Sequence, residues 1–386
     1  MSEFPHGWST RVIEEICDIH DYRRIPLSSE ERRERKGPYP YYGANNIQDR
    51  IDDFIFDFDA VLIAEDGGYY DEYEYRDIAQ YATGKYWVNN HAHILTGKPG
   101  LDTRFLYYAL VRKNICPWIN TGTRSKLNQS DLKQIELLVP PLPEQKKIAE
   151  ILSGIDREIE LLDRRIQKLC IAKAKASEDI LSSDHSEKKL IELSDCIDLT
   201  RGYAFKSGDY IESGGTRILR VTNIKEDGRV DLATNCVQIP NQLRDHYRHF
   251  EVQEDDLLLV MVGATTGKLG IASKEDTPSL LNQNIWCLRS SSPTTILQRF
   301  LHCSMPKVVA QHLEKQQGSA RDFLTQKEFF KEHLEIPNID LQEKVVNATS
   351  CIDRTILATK EIRAKIGLLR FSLASDLLSG RKRVSI

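Results

Sequence analysis

The spacing of apolar residues changes along this chain, and the change divides it into alternating segments. Beyond Pro143 the apolar residues fall at 148, 151, 152, 155, 159, 162, 166, 169, 176 and 180. Steps of three and four over several heptads predict one long helix with a coiled-coil seam. Its flanks carry balanced charges (Glu158, Arg164, Arg165, Lys168) and predict a solvated face. A second such stretch carries Val345, Ile352, Ile356, Ile366, Leu369, Leu373 and Leu377, with Thr359 and Arg363 interrupting the seam. Gly380 stands where a helix terminator belongs. Between and before these helices the pattern shortens to strands: Phe54-Ile55-Phe56, then Ala60–Ala64 closed by Asp66-Gly67-Gly68, and later residues 256–262 ending at Gly263. The predicted order is mixed domain, long helix, mixed domain, long helix. A short connection across residues 182–189 would let the helices return past each other as an antiparallel pair.

The order reflects an internal repeat. Residues 145–182 lie on residues 342–379 without a gap, at an offset of 197. Ile155-Asp156-Arg157 matches Ile352-Asp353-Arg354, and Asp179-Ile180-Leu181-Ser182 matches Asp376-Leu377-Leu378-Ser379. Upstream, Gly122 through Pro140 answers Gly318 through Pro337, and Asn89-Asn90-His91-Ala92-His93 sits opposite Asn282-Gln283-Asn284-Ile285-Trp286. Val12-Ile13-Glu14 answers Leu190-Ile191-Glu192. Between these anchors the halves diverge. The predicted boundaries are residues 1–143 and 184–340 for the mixed domains, and 144–183 and 341–386 for the helices.

Composition narrows the picture only slightly. The 386 residues are 40% hydrophobic and 28% charged, an ordinary folded composition. No stretch approaches the roughly 20 apolar residues of a membrane span, and the start lacks an apolar signal core, so a cytoplasmic protein is expected. The eight cysteines are scattered with no C-x-x-C pair, which predicts reduced and mostly buried thiols. A net charge of −4 argues against a uniformly basic DNA binder but leaves room for local patches.

The joints carry the resemblance. Val139-Pro140-Pro141-Leu142-Pro143-Glu144-Gln145, followed by Ile148-Ala149-Glu150-Ile151-Leu152, precedes the first long helix. The second joint, Ile336-Pro337-Asn338-Ile339-Asp340-Leu341-Gln342, keeps one Pro and the Gln. With Tyr41-Tyr42-Gly43-Ala44-Asn45 in the first domain and Gly263 through Gly270 in the second, the whole chain resembles the specificity subunit of type I restriction–modification systems. The resemblance implies a mixed α/β (α+β) fold: two target-recognition domains, two long antiparallel coiled-coil helices, and a pseudo-twofold repeat. It further implies that each domain reads half of a bipartite double-stranded DNA target. Two methyltransferase subunits and restriction/translocase subunits would be the partners, with no cofactor, metal or catalytic site on this chain. Two rival readings stay open: a coiled-coil scaffold joining proteins without DNA, and a stand-alone DNA-modifying enzyme.

Candidate DNA contacts follow from residue chemistry. Arg pairs with guanine edges and Asn or Gln with adenine, each bidentate contact worth about 1–3 kcal/mol of discrimination. Arg124 and Lys126 follow Gly122 in a polar loop, and Arg321 follows Gly318. Arg23, Arg24, Arg201, Lys206 and Arg220 are further cationic candidates, and Asn45, Asn90, His91 and Gln283 are polar readers. Tyr42, like Tyr41, suits either core or contact. Gly263-Ala264-Thr265-Thr266-Gly267-Lys268 invites a phosphate-loop reading, but its spacing is one residue short and Leu follows the Lys. A turn presenting Thr265, Thr266 and Lys268 to DNA, or a structural turn, fits better. His91 and His93 have the alternation of two strand ligands with no third ligand in pattern. Glu65-Asp66 and Asp255-Asp256 lack the spacing of a nuclease's metal carboxylates.

Overall fold

A computed structural model describes residues 5–121, 125–183, 188–233, 236–316 and 323–385. Both long helices form, Leu142–Ser183 and Ile339–Leu378. Pro140 and Pro141 stop the strand before the first, and Pro143 falls in its opening turn, where a missing N–H costs nothing. The chain divides into two compact units, Met1–Arg165 with Thr359–Ile386, and Ile166–Ala358. Each unit therefore combines one sheet-rich segment with part of both long helices. No helix among the described residues is long and apolar enough to cross a membrane.

The first unit contains β1 (Ser9–Val12), β2 (Cys17–Ile19), β3 (Lys36–Tyr42), β4 (Ile47–Ile51), β5 (Phe56–Asp57), β6 (Ala60–Ala64), β7 (Ala79–Ala82), β8 (Lys85–Val88), β9 (Ala92–Gly97) and β10 (Glu136–Val139). They make an antiparallel sheet in the order β2-β9-β6-β7, a second sheet β4-β3-β8-β5 with β3 and β8 parallel, and a ribbon β1-β10. β6 is apolar throughout because both of its faces are covered. Val61 and Ile63 join the core with Phe105 of helix Thr103–Val111 and Ile148 and Leu152 of the first long helix. Ala60 and Leu62 face Phe56, Tyr86 and Ile94 on the other side.

The second unit contains β11 (Lys189–Glu192), β12 (Ile197–Arg201), β13 (Thr216–Leu219), β14 (Val237–Ile239), β15 (Glu251–Val252), β16 (Leu257–Val260), β17 (Leu269–Ile271), β18 (Ser279–Leu281), β19 (Ile285–Ser290) and β20 (His333–Ile336). Their orders are β12-β19-β16-β17, β14-β13-β18-β15 with β13 and β18 parallel, and β11-β20. Strand for strand this is the first unit's topology, carried through segments whose sequences diverge. β16 repeats the two-faced burial of β6, with Leu257 and Leu259 in one core and Leu258 and Val260 in another.

The glutamine kept at both joints has a structural reason. Gln145 is 1% exposed and Gln342 is fully buried. The Gln145 amide donates to the carbonyls of Pro140 (2.8 Å) and Gly100 (3.0 Å), and its oxygen accepts from the Asp102 N–H (2.8 Å). Gln342 donates to Pro337 and Thr295 (both 2.9 Å) and accepts from the Leu297 N–H (2.8 Å). One side chain thus ties each long helix to the preceding strand and to the domain's own helix, whatever else the joint contains.

Within the first unit the long helices run antiparallel: Asp156 pairs with Arg370, and Asp163 with Arg363 at 3.0 Å. Tyr108 donates to Asp156 at 2.6 Å, and burial followed by this carboxylate pushes the phenol's pKa far up. Within the second unit Lys173 pairs with Asp353 at 2.7 Å, while Ile180 and Leu181 pack in the core that holds Val345 and Val346. Of the residues interrupting the second seam, Thr359 is buried and Arg363 is the partner of Asp163. At the start of the first helix, buried Glu144 accepts from the Trp8 indole (3.1 Å) and from Arg383 (2.6 and 2.8 Å). Gly380 ends the second helix at φ +73, and a Cβ there would lie 2.6 Å from Pro5, so both backbone and space call for glycine.

Three expectations need correction. Phe54 and Ile55 lie outside the strand, which is only Phe56–Asp57. The Ile55 carbonyl is capped instead by the Arg23 guanidinium at 2.9 Å. The predicted strand 256–262 shortens to Leu257–Val260, because Asp256 turns to Arg289 and Met261 already belongs to the loop. The cysteines are not mostly buried: Cys17, Cys196 and Cys287 are, but Cys116, Cys170 and Cys351 are exposed.

Candidate nucleic-acid interface

Each unit gathers its loops at one end of its main sheet, where β6 or β16 finishes and β9 or β19 begins. In the first unit the Glu65 N–H donates to the His91 carbonyl (2.8 Å) and the Leu127 N–H to the Glu65 carbonyl (2.8 Å). In the second, the Met261 N–H donates to the Asn284 carbonyl (2.9 Å) and the Leu324 N–H to the Met261 carbonyl (2.8 Å). Isolated bridges follow the same plan, Asp66 with Lys126 and Val262 with Phe323. The backbone frame is shared, and different side chains stand on it.

On the first unit's rim stand Arg24, Asn45, Asn90, His91 and Lys126. Arg24 binds Glu65 (2.7 Å) and the carbonyls of Asn90 (3.4 Å) and Ala92 (2.9 Å). Lys126 reaches the other Glu65 oxygen at 3.2 Å. Asn45 donates to the Gly67 carbonyl at 2.9 Å, and Asn90 is exposed. His91 lies just before β9, not on it, and its Nδ1 meets both Asp66 oxygens at 2.9 and 3.0 Å. Arg23 and Tyr42 turn elsewhere: Arg23 lies over Phe56, and the half-buried Tyr42 ring packs edge-on against Tyr86. Arg124 lies outside the described residues.

The fold brings to His93 two carboxylates that sequence spacing could not connect. His93 is buried, 2.6 Å from Asp21 through Nδ1 and 2.8 Å from the Leu127 carbonyl through Nε2. Asp21, Glu65 and His93 have ligand-like proximity, but Arg24 and Lys126 supply the positive charge beside these carboxylates. Burial opposes ionisation of Asp21, yet His93, Gln129 and Arg24 outweigh it and hold its carboxyl below the usual range. Glu65 is likewise lowered, with Arg24 and Lys126 overcoming its burial. The pairs considered for nuclease chemistry are therefore occupied: Glu65 by Arg24 and Lys126, and Asp66 by His91. Asp256 is held by two Arg289 bonds of 2.6 Å, and Asp255 by Arg299 at 3.0 Å.

The second unit's rim presents Arg201 at the end of β12, the loop 263–267, and exposed Gln283 before β19. Arg201 donates to Gln326 at 2.9 Å, and the Gln283 N–H donates to the Tyr203 carbonyl at 2.9 Å. The glycine-rich loop joins two antiparallel strands, β16 and β17, so no helix N-terminus follows it as a phosphate loop needs. Thr265 is half-buried, Thr266 donates to the Gly263 carbonyl (2.6 Å), and Lys268 binds Glu226 (2.6 Å) with its side chain 15% exposed. Arg220 opens the short turn Val221–Asn223, and Lys206 is exposed beside Phe205. Arg321 lies outside the described residues. Sequence reading missed an aromatic group near Lys206: Tyr203, Phe205, Tyr247 and Phe250, with ring centroids 4.9 to 5.2 Å apart. The two pairs come from segments some 40 residues apart, and no local spacing announces their meeting.

Residues 5–170 and 185–368 both match the type I restriction modification DNA specificity domain. A putative type I restriction enzyme specificity subunit of Haemophilus influenzae is 40% identical over 145 residues, 38% of this chain and 36% of that protein. A putative type I restriction enzyme specificity subunit of Methanocaldococcus jannaschii is 22% identical over 100% of this chain and 96% of its own. The crystal structure of a type I restriction-modification system S subunit from M. genitalium shares the fold, with a TM-score of 0.63 at 17% identity over 98% of both chains. With two matched domains, a doubled sheet topology and a full-length structural counterpart, this chain belongs to the type I restriction–modification specificity subunit family.

Proposed function

We propose that the chain reads a bipartite double-stranded DNA target, one half with each unit, and directs two methyltransferase subunits and restriction/translocase subunits to it. Methylation and cleavage then belong to the partners. The observation that carries this reading is one backbone frame presented twice with different rim chemistry, which suits two unlike half-sites on one duplex. His91 and Asp66 in the first unit stand where the second has Asn284 and Val262. The long helices, 42 and 40 residues, would fix the gap between half-sites. Inserting one heptad into both keeps the seams in register and should lengthen the preferred gap.

The test is binding of the chain with its methyltransferase subunit to a library of split sequences with randomised gaps. One bipartite sequence with one gap supports the reading. Stable assembly of the subunits without any sequence preference favours the protein-joining scaffold instead.

A further inference from the structure

His91 is more constrained than its position requires. It precedes β9 on the rim with its side chain 38% exposed, yet it is fixed at three points. Its N–H donates to Asn89 Oδ1 at 2.8 Å, its carbonyl accepts from Glu65, and its Nδ1 meets both oxygens of Asp66. Asp66 is itself held by the backbone bridge to Lys126. A carboxylate offers only acceptors, so Nδ1 carries the proton, and in the neutral ring Nε2 keeps a lone pair. Nε2 has no hydrogen-bond partner among the described residues, whereas the neighbouring cations Arg24 and Lys126 both bind Glu65. An ordered side chain pays its entropy before binding.

We infer that His91 is a specificity-determining residue whose Nε2 accepts a hydrogen bond from an exocyclic amino group in the major groove, with Asp66 as its positioning residue. Adenine N6 and cytosine N4 are the amino donors that groove displays. The second unit has no such pair, since Val262 and Asn284 occupy the equivalent places. This inference rests on the DNA-reading function proposed above and deepens it for one half-site.

The test uses the complete complex with its methyltransferase subunit and its own bipartite target. Duplexes are made in which one exocyclic amino group at a time is removed from the first half-site. One removal should weaken the unmodified complex about 5- to 150-fold, the range of a good base contact. In His91→Ala the same removal should have no further effect. In Asp66→Asn, where the amide can donate to Nδ1 and shift the proton to Nε2, that sensitivity should also vanish although the histidine remains. Unchanged reading of the second half-site serves as the control for folding. Full sensitivity to every amino removal in His91→Ala, or retained sensitivity in Asp66→Asn, overturns the assignment. So does a uniform loss of affinity with a salt slope reduced by about one, which marks a phosphate contact. If the unmodified complex reads no sequence at all, the DNA-reading function fails instead.

Discussion

Replacing Gln145 with Ala removes three hydrogen bonds at once. The Asp102 N–H and the carbonyls of Gly100 and Pro140 lose their partner where the first long helix meets the helix Thr103–Val111. At about 1 kcal/mol net per bond, and more for any group left dry, the expected cost is about 3 kcal/mol. Gln342→Ala removes the same set at Leu297, Thr295 and Pro337 and should cost nearly the same. For domains of 150–250 residues this corresponds to a fall in Tm of about 6–12 °C. Because two units need not unfold together, hydrogen exchange resolved along the chain is the better assay. Gln145→Ala should release the Asp102 amide and its surroundings and leave the Leu297 region protected, and Gln342→Ala should do the reverse. A cost below about 0.5 kcal/mol in both variants would refute the claim that the glutamine at each joint ties its long helix to its own domain.

Other expectations follow from the helix contacts and the buried charges. Asp156→Ala leaves both Tyr108 and half-buried Arg370 without their partner and should cost about 2 kcal/mol. Asp353→Ala, which removes the more exposed pair with Lys173, should cost below about 1 kcal/mol, and equal losses in denaturant titrations would contradict the contrast. Asp21 has a folded pKa below its unfolded value of about 3.9, so its contribution is present above that value and lost as the pH falls through the folded one. Asp21→Asn should therefore destabilise the first unit at neutral pH by an amount that shrinks on acidification. A difference independent of pH would refute the ionised Asp21 carboxylate beside His93. Ending the chain after Gly380 removes Arg383 from Glu144 and should shift Trp8 emission to the red. Unchanged fluorescence would mean that the tail does not hold that corner.

Much of the scaffold was legible because it is periodic. The seams of both helices, the doubled prolines and Gly380 each announce a local conformation, and the helices formed where the pattern placed them. The two-faced strands at Ala60–Ala64 and Leu257–Val260 were legible for the same reason, as short runs of uninterrupted apolar residues. The equivalence of the divergent segments was not. Two segments can keep one strand order while exchanging Val61 and Ile63 for Leu257 and Leu259, because each core requires only apolar volume on alternate positions. Rim chemistry was visible as residue types and not as partnerships. Arg24, Lys126 and Lys268 stand in the sequence as cations available to DNA, and the fold gives each a carboxylate 41 to 61 residues away. The pairing of His91 with Asp66 is equally non-local, since only strand adjacency brings the end of β6 to the start of β9.

The central claim is that two structurally equivalent units read two different half-sites independently. The most direct measurement replaces residues 12–139 with the corresponding segment of another family member, in the intact complex, and maps the methylated sequence genome-wide. The account predicts a new first half-site joined to the original second half-site. A change in both halves, or in neither, would contradict it.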